Sequence, residues 1–543
     1  GRVIAEAART PNHDELRLWP PLPQLPETVL PKATLARLSG VGLPVPGSAS
    51  ALELYLLQQL ALWAGGDHLQ FNGAETPVRL VDQFTDIAIQ PDANSDLARR
   101  WKAQGWTKAE VDAALKVKGL AHLLHHDCRF AGVDVWLLTA APASGKTTML
   151  AEFQMQTAWR ALRRHSAAGC WGVVAIWVPL RELQVLDGVG QQRPIADVMR
   201  DWLAYQPVAP AVEWRDLFHG PLATEQGLRV VPLFDGANEL RCSPGQRGPV
   251  LRDLLRASRG FSGTVHATPV VTVRTLDVSF SLDGQCPCQL LPWDKELRGK
   301  YVNRRLGAGS VAANDLLTVV ENDPEPDDLR RLYANPGLLA IACTLMEEGW
   351  LPRPGTNRAQ LYATLIWTRL HREVKQGAAA DPAKGAAPDW QGLLSNEEHE
   401  ALLGLAKRLG DGLWGFCEPC GPLLAALRQQ ALRMQWPSQP RAGSQPVPDE
   451  NSLQAVNLDA PEGEFFDALP PGDPQRAELL RAAHAIQLLD QDIRRHPGRP
   501  HVERLHWRWR HQTLLEFFAA WGLRPDGTLP DLRIPPGVDL LNI

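Results

Sequence analysis

The stretch from Val133 to Leu150, VDVWLLTAAPASGKTTML, constrains the fold of this chain more than any other part of the sequence. It opens with a short apolar run, which is typical of a strand buried on both faces of a sheet. From Thr147 onward, apolar residues recur at a spacing that gives a helix one apolar face. A buried strand, a tight loop and a helix in this order predict the first unit of a parallel α/β sheet.

The loop in this stretch matches a phosphate-binding pattern. It fits G-x-x-x-x-G-K-[ST] at every defined position except the first, where Ala140 replaces glycine. In such a loop, backbone N–H groups and the amino end of the next helix converge on a polyphosphate. Gly145 permits close approach, Lys146 would contact the β- and γ-phosphates, and the Thr147 hydroxyl would bind Mg²⁺. The predicted phosphate-binding residues are Ala140, Ala141, Pro142, Ala143, Ser144, Gly145, Lys146, Thr147 and Thr148.

A second strand is predicted at Val173–Val178 and a third at Leu228–Phe234, and the third ends in an acid within the sequence VVPLFDGANEL. Asp235 therefore stands at the carboxyl edge of a parallel sheet, where a Mg²⁺-binding carboxylate is expected. Glu239, four residues later, is placed to orient or deprotonate an attacking water. The alternative interpretation is an ordinary Asp-Gly turn after a core strand.

A further strand, predicted at Pro269–Val273, leads into Arg274. A cation at the tip of a neighbouring strand could sense the γ-phosphate and stabilise developing charge. The alternative is an arginine that pairs with Asp277 or faces solvent. The predicted catalytic residues are Lys146, Asp235, Glu239 and Arg274, and the predicted Mg²⁺ ligands are Thr147 and Asp235.

Length and composition indicate a globular protein of about three or four domains, since the chain has 543 residues. The formal charge of −5 gives no global basic field, so nucleic acid is not indicated as a partner. No apolar run approaches the roughly 18–20 residues that cross a bilayer, so a membrane is not expected as a partner. The sequence starts at Gly1 without a signal-peptide pattern, which is compatible with a native N-terminus further upstream. The eight cysteines do not suggest a disulfide scaffold, and we expect reduced thiols in a cytoplasmic setting. The close pairs Cys286/Cys288 and Cys417/Cys420 lie too far apart in sequence to favour a shared zinc site.

The flanking regions differ from the predicted sheet. Residues 1–48 are proline-rich and predict extended chain, and Ala51–Trp63 predicts a helix. Residues 94–124 are also predicted to be helical. Beyond about residue 290 helices dominate, until alternating apolar residues at 505–509 predict a strand and a capping-box pattern at 513–516 opens a last helix.

The ordered set of motifs resembles the NACHT class of STAND P-loop NTPases, which contains animal NOD-like receptors and many bacterial defence and signalling proteins. The resemblance covers roughly residues 130–521. The matching segments are AAPASGKTT, VPLREL, LFDGANEL, VVTVRT, LLPWDKELRGKYV, NPGLLAIACTLMEEGWLPRPGTNRAQLY and RWRHQTLLEFFAA.

The resemblance implies an α/β P-loop NTPase domain, a parallel sheet flanked by helices, followed by a helical domain and a winged-helix-like domain. The expected divisions are an N-terminal region of unknown role (1–75), an extended and helical collar (76–130), the NACHT domain (131–292), the helical domain (293–376), a linker (377–395), the winged-helix-like domain (396–523) and a tail (524–543). It also implies that Pro336 lies against the adenine and that His511 contacts the β-phosphate of ADP. From its residue type alone, a lone histidine is more often structural than a ligand.

The implied function is an ATP/ADP-dependent signalling switch that binds Mg²⁺-nucleotide, hydrolyses it slowly and self-associates or activates an effector, with antiphage defence expected by family analogy. Two alternatives stay open: a mechanical ATPase of the AAA+ type, and a non-enzymatic scaffold with a degenerate pocket. Ala140, and Asn238 where many members have a second acid, are departures that could slow hydrolysis. The residues do not distinguish ATP from GTP, and they do not identify the trigger, the effector, the oligomer size or the role of residues 1–130.

Overall fold

The structure is a computed structural model that divides into two compact units, Gly1–Gln70 with Thr76–Leu297 and Phe71–Glu75 with Arg298–Ile543. The described residues are 52–53, 55–56, 59–60, 84–85, 87–117, 119–120, 124, 132–186, 191–204, 227–240, 242–258, 268–275, 278, 280–321, 330, 332–350, 356, 358–377, 388, 390–403, 421–435, 459–461, 474–496, 499–509 and 512–522. Within this part of the chain, every helix is too short or too polar to span a bilayer.

A six-stranded sheet forms the centre of the first unit, as far as its residues are described. Its strands are β1 (Ile89–Pro91), β2 (Val135–Ala140), β3 (Gly172–Pro179), β4 (Leu228–Asp235), β5 (Val270–Arg274) and β6 (Gln285–Leu290). They lie in the order β1-β6-β2-β5-β4-β3, and all pairs are parallel except β1 with β6. The predicted mostly parallel α/β sheet is therefore confirmed.

The strand order places β2 where the direction of the chain through the sheet reverses. From β2 the chain crosses to β3 at the far edge, returns through β4 and β5, and then adds β6 on the other side of β2. Loops that leave the carboxyl ends of strands on either side of such a point diverge and open a crevice. The loop after β2 starts at this crevice.

Helices and apolar side chains cover the sheet of the first unit. The helices are α1 (Asp96–Ala103), α2 (Lys108–Ala114), α3 (Lys146–Ala168), α4 (Ile195–Ala204) and α5 (Pro244–Ser258), with 3-10 turns at Leu180–Glu182 and Ala237–Glu239. The core includes Trp159 of α3, Ile176 of β3 and Val271 of β5, all buried. Leu56 and its helical neighbours Leu52, Tyr55 and Leu60 belong to the same core, so part of the N-terminal region packs with this domain.

The described residues of the second unit are mainly helical. Its elements are α6 (Lys295–Leu306, which begins in the last residues of the first unit), α7 (Val311–Glu321), α8 (Pro336–Glu347), α9 (Arg358–Gly377), α10 (Trp390–Leu393), α11 (Asn396–Leu403), α12 (Pro422–Gln435), β7 (Asp459–Pro461), α13 (Pro474–Ala485), β8 (Leu489–His496), β9 (Arg499–Trp509) and α14 (Gln512–Gly522). The strands pair antiparallel in the order β7-β9-β8, and the aromatic rings of Trp509 and Phe518 lie 5.4 Å apart. The guanidinium of Arg369, in α9, donates to the backbone oxygen of Gln487 at 3.2 Å and ties α9 to the end of α13.

One local prediction differs from the structure, and one strand of the structure was not predicted. Residues 94–124 do not form one helix, because Gly105, at φ 92, ends the turn after α1 and Thr107 caps a new helix, α2, with Glu110 in a capping box. Strand β6 has the sequence QCPCQL and was not predicted, since Pro287 argues against an inner strand. Its buried residues nevertheless alternate, as in other half-buried strands.

Candidate nucleotide-binding site

The loop after β2 has the backbone of an anion-binding turn. It includes two residues with left-handed backbone, Ala143 at φ 58 and Gly145 at φ 84, and Gly145 directly precedes α3. Left-handed residues in a tight turn direct successive N–H groups into one concavity, which is how backbone binds phosphate. Gly145, the N-cap residue of α3, makes no side-chain cap hydrogen bond, so the first turn of the helix is suited to an external anion.

Ala140 does not strain this loop, although it replaces the first glycine of the pattern. It is the last residue of β2, it is buried, and it pairs in register with Arg274 of β5. Its φ is not positive, in contrast to that of Ala143. The methyl group of the alanine therefore narrows the space through which a ligand approaches the loop, and the residue adds no backbone strain.

Lys146 is the first residue of α3 and its ammonium contacts the loop itself. Its Nζ donates to the backbone oxygens of Ala140 at 2.9 Å and Ala141 at 3.0 Å. The positive charge thus lies beside the concavity formed by the loop backbone. Phosphate oxygens bound there would compete with the two carbonyls for the same ammonium.

Asp235 ends β4 and is only 8% exposed, and three side chains donate hydrogen bonds to its carboxylate. The hydroxyl of Thr147, in the first turn of α3, donates to Oδ2 at 2.7 Å, and the indole Nε1 of Trp177 donates to the same oxygen at 3.2 Å. The hydroxyl of Thr272, in β5, donates to Oδ1 at 2.6 Å. Both carboxylate oxygens are therefore fixed, and Oδ2 faces the hydroxyl that was predicted to bind Mg²⁺.

Glu239 is brought back beside Asp235 by a tight turn. Gly236 has φ 78, and its carbonyl accepts a hydrogen bond from the Glu239 N–H at 2.7 Å. A Cβ at position 236 would come within 3.1 Å of the Glu239 carboxyl carbon, so the turn and the carboxylate share a narrow space. Withdrawal from water raises the pKa of Glu239, and the charge of Asp235 raises it further.

Two arginines oppose that rise in the pKa of Glu239. The stronger influence comes from Arg181, in the 3-10 turn after β3, and a weaker one comes from Arg274, at the end of β5. Arg274 is buried, so its charge acts where water screens it little. The structure thus brings Lys146, Asp235, Glu239 and Arg274 together at the carboxyl ends of neighbouring strands.

Three residues of this cluster were not singled out in the sequence: Trp177, Arg181 and Thr272. Trp177 and Thr272 contact Asp235 across 58 and 37 residues of sequence, which no local pattern reveals. Arg181 did lie within the matched segment VPLREL, directly after a predicted strand. That position, at the same sheet edge as Asp235, was the available signal.

The two residues implied to contact the base and the β-phosphate lie elsewhere in the chain. Pro336 is the first residue of α8 in the second unit, and the side chain of Asn335 caps that helix by accepting from the N–H of Gly337 at 3.1 Å. Proline at this position is favourable because its missing N–H would have no helical partner. His511 lies outside the described residues.

The donor set fits magnesium. Mg²⁺ takes oxygen ligands and is usually bound by one or two protein groups together with phosphates and water. The hydroxyl of Thr147 and the Oδ2 atom of Asp235, 2.7 Å apart, are such groups. Clusters of three or more histidine, cysteine or acidic residues are not found among the described residues, so a protein-only metal cage is not indicated in this part of the chain.

The first unit has the fold of an α/β P-loop domain. No family model matches the sequence, and no curated protein matches it. Among solved structures, the chain is similar to the Aeropyrum pernix ORC2 protein, determined as ADPNP–ADP complexes, with 12% identity over 72% of this chain and 88% of that chain and a TM-score of 0.25. It is also similar to the Aeropyrum pernix ORC1 protein in complex with DNA, with 11% identity over 79% of this chain and 92% of that chain and a TM-score of 0.27. Scores of this size do not assign a fold, so the P-loop assignment depends on the sheet order and on the loop geometry.

Proposed function

We propose that this chain is an ATP/ADP-dependent switch of the STAND type. In this proposal the P-loop domain binds Mg²⁺-nucleotide, hydrolyses it slowly, and controls self-association or activation of an effector. ATP is proposed rather than GTP because the NACHT-like motifs imply an adenine nucleotide. A role in antiphage defence is part of the proposal by family analogy alone.

One observation carries the nucleotide-binding part of the proposal: the hydrogen bond from Thr147 to Asp235 at 2.7 Å. It joins the first turn of the helix after the loop to the acidic end of β4. Two oxygen atoms of the kind that Mg²⁺ prefers therefore lie beside a loop whose backbone and whose Lys146 suit a polyphosphate.

The same cluster supports hydrolysis. When bound, Mg²⁺ would neutralise phosphate charge at Thr147 and Asp235. Glu239 would orient the attacking water and hold its proton on the carboxylate, for which a raised pKa is favourable. Arg274 would stabilise negative charge that develops on the γ-phosphate.

Slow turnover is proposed from the residue beside Glu239. Asn238 lies in the 3-10 turn Ala237–Glu239 and is buried, so the turn contributes one carboxylate where many members of the family have two. Because Asn238 is neutral, Glu239 is the one carboxylate of this turn that can activate water, and we therefore propose that hydrolysis is slow. Binding would be retained, since the loop, Lys146 and Asp235 are unaffected.

Switching requires a nucleotide to bind two conformations unequally. Pro336 and His511 are the residues through which the second unit would sense the nucleotide in this proposal, with His511 contacting the β-phosphate of ADP. Replacement of His511 with alanine should then weaken ADP more than ATP. Equal weakening of both nucleotides would exclude a locking role for this histidine.

The decisive experiment is to denature the purified chain and to identify by chromatography the nucleotide that it releases. We expect stoichiometric ADP from the wild-type chain and none from Lys146→Ala, with Lys116→Ala, in the same compact unit after α2, as the matched control. A chain that releases no nucleotide and also fails to bind ATP with Mg²⁺ would be a degenerate scaffold. Turnover near or above ~1 s⁻¹ would instead indicate a mechanical ATPase.

A further inference from the structure

The β8–β9 hairpin of the second unit has a strongly basic sequence. Among residues 494–508 there is one acid, Glu503, and the five arginines are Arg494, Arg495, Arg499, Arg504 and Arg508. The chain as a whole has a formal charge of −5, so the sign of the charge is reversed locally. Local positive charge of this kind attracts polyanions even when the net charge of a protein is negative.

The register of the two strands divides the hairpin into two faces. Residues directly opposite each other in an antiparallel pair lie on the same face, and successive residues alternate between faces. Trp509 pairs with Leu489, and both tryptophans of β9, Trp507 and Trp509, are buried, so their face covers the core of the unit. The second face carries the alternate positions, which are Asp490, Asp492 and Arg494 of β8 and Arg504, His506 and Arg508 of β9.

The part of the second face nearest to β7 contains acids in register with its basic residues. Arg508 pairs with Asp490 of β8 on one side and with Asp459 of β7 on the other. His506 pairs with Asp492. Cross-strand pairs of opposite charge stabilise a sheet. The hairpin's own neighbours therefore balance the charge in this part of the face.

Further along the second face, two arginines lie directly opposite each other. Arg494 of β8 pairs in register with Arg504 of β9. Cβ atoms at such positions are about 4.5–5.5 Å apart, and like charges there destabilise a sheet. Among the residues that the structure describes, β7 ends at Pro461, opposite His506, and brings no acid level with Arg504. A bound anion would relieve this repulsion.

We propose that this end of the β8–β9 hairpin binds the phosphate backbone of duplex DNA, with Arg494 and Arg504 as phosphate contacts. The major groove of B-DNA admits a two-stranded β-ribbon. A guanidinium binds phosphate through two parallel hydrogen bonds, and a duplex presents a rigid series of phosphates to arginines that the register holds at fixed positions. The partner is distinct from the nucleotide of the proposed switch, and its recognition does not depend on base sequence.

The residues at this end of the hairpin favour a duplex over a lipid surface or a single strand. Residues 494–501, RRHPGRPH, contain none of the tryptophan, phenylalanine or leucine that inserts an interfacial segment into lipid. Residues 490–506 contain no phenylalanine, tyrosine or tryptophan on which unpaired bases would stack. A duplex needs neither feature, because its phosphates alone supply the attraction.

The first test is fluorescence anisotropy of a short labelled DNA duplex titrated with the full chain between about 50 and 200 mM salt. We expect affinity to fall as salt rises. Arg494→Gln and Arg504→Gln should each reduce the slope of log affinity against log salt by about 0.9, the value for one phosphate contact. Arg481→Gln is the matched control and should leave the slope nearly unchanged, since Arg481 is exposed on α13 of the same unit and pairs with Glu478. An unchanged slope in the hairpin variants, or an equal change in the control, would overturn the proposal.

Thermal unfolding distinguishes a lost phosphate contact from a damaged hairpin. Because Arg494 and Arg504 are opposite each other, replacing both with glutamine removes a repulsion. The double variant should therefore unfold at the same temperature as the wild type or higher, while it loses affinity for the duplex. Weaker binding together with earlier unfolding would overturn the assignment of these two arginines as phosphate contacts.

Competition identifies which polyanion the hairpin binds. The complex of the full chain with the labelled duplex is challenged with unlabelled duplex, with one of its single strands, with phosphatidylserine vesicles and with polyglutamate. We expect the unlabelled duplex to displace the probe at a lower concentration of negative charge than the other three competitors. Displacement by any of those three at an equal or lower concentration of charge would overturn duplex DNA as the partner.

Discussion

The indole Nε1 of Trp177 and the carboxylate Oδ2 of Asp235 lie 3.2 Å apart, so a residue of β3 helps to orient the acid that ends β4. The same oxygen accepts from Thr147. Binding of a cation to Asp235 would therefore change the hydrogen bond of the Trp177 indole. The contact restrains the carboxylate, and the fluorescence of Trp177 should respond to cation binding.

Trp177→Phe should weaken Mg²⁺-dependent nucleotide binding by roughly threefold to tenfold, because it removes one hydrogen bond to a charged group. The measurement is a Mg²⁺ titration at fixed nucleotide. Trp171→Phe is the matched control, since Trp171 precedes the same strand at its other end, where it stacks on His165. Loss of Mg²⁺ affinity in both variants would indicate general damage to β3.

Thr272→Val should cost about 1–3 kcal/mol of unfolding free energy, because it leaves buried polar groups without their partner. The hydroxyl donates to Asp235 at 2.6 Å and accepts from the Gly236 N–H at 2.8 Å, and the residue has no exposed surface. Thr272→Ser should recover most of the loss. Denaturant unfolding of the three chains tests this, and a Val variant as stable as the wild type would contradict the bridging role.

Ala143→Gly should be neutral to stabilising, by up to about 1.5 kcal/mol. A left-handed alanine costs roughly 1–2 kcal/mol, while glycine adds about 0.5–1 kcal/mol of chain entropy to be lost on folding. Gly145→Ala should be destabilising because position 145 also has positive φ. Ala141→Gly is the control and should be mildly destabilising, since the φ of Ala141 is not positive. Unfolding midpoints of the three variants measure the difference.

Glu239 should make the fold less stable as the pH rises. Its pKa in the folded chain is above the usual 4.5, so the native state holds this proton more tightly than the unfolded state does. The associated stability is present below pH 4.5 and is lost as the pH rises through the higher native pKa. Glu239→Gln should therefore gain stability relative to the wild type over that window, bind ATP normally and fail to hydrolyse it. A stability difference that does not vary with pH would contradict this assignment.

Arg181→Met should move the acidic limb of the hydrolysis rate to higher pH. Arg181 provides the strongest charge that favours ionised Glu239, so its removal raises the pKa of Glu239 further. Below that limb Glu239 is protonated and cannot accept a proton from water. Arg181→Lys should restore most of the profile. An unchanged pH profile in the Met variant, at normal ATP affinity, would show that the charge of Arg181 does not reach Glu239.

The loop, the acid that ends β4 and the parallel strands could be predicted because each depends on residues that are close in sequence. The apolar run before Asp235 and the Gly-Lys-Thr tripeptide are local signals of that kind. The contacts of Trp177 and Thr272 with Asp235 could not be predicted, because they depend on which strands become neighbours. Whether Ala140 strains the loop could not be predicted either, because the sequence does not show whether that position needs a positive φ. The backbone of the structure shows that it does not.

The sheet of the first unit has a short seam between β4 and β5. Only two residue pairs are in register across it, Leu233 with Val270 and Phe234 with Val271, whereas β5 shares five with β2. The hydrogen bonds of Asp235 to Thr272 and Thr147 cross the same seam, so one carboxylate joins the β3–β4 half of the sheet to the half that contains the loop. A cation that binds this carboxylate would compete with Thr147 and Thr272 for its oxygens, and would therefore change the strength of the contact between the two halves of the sheet.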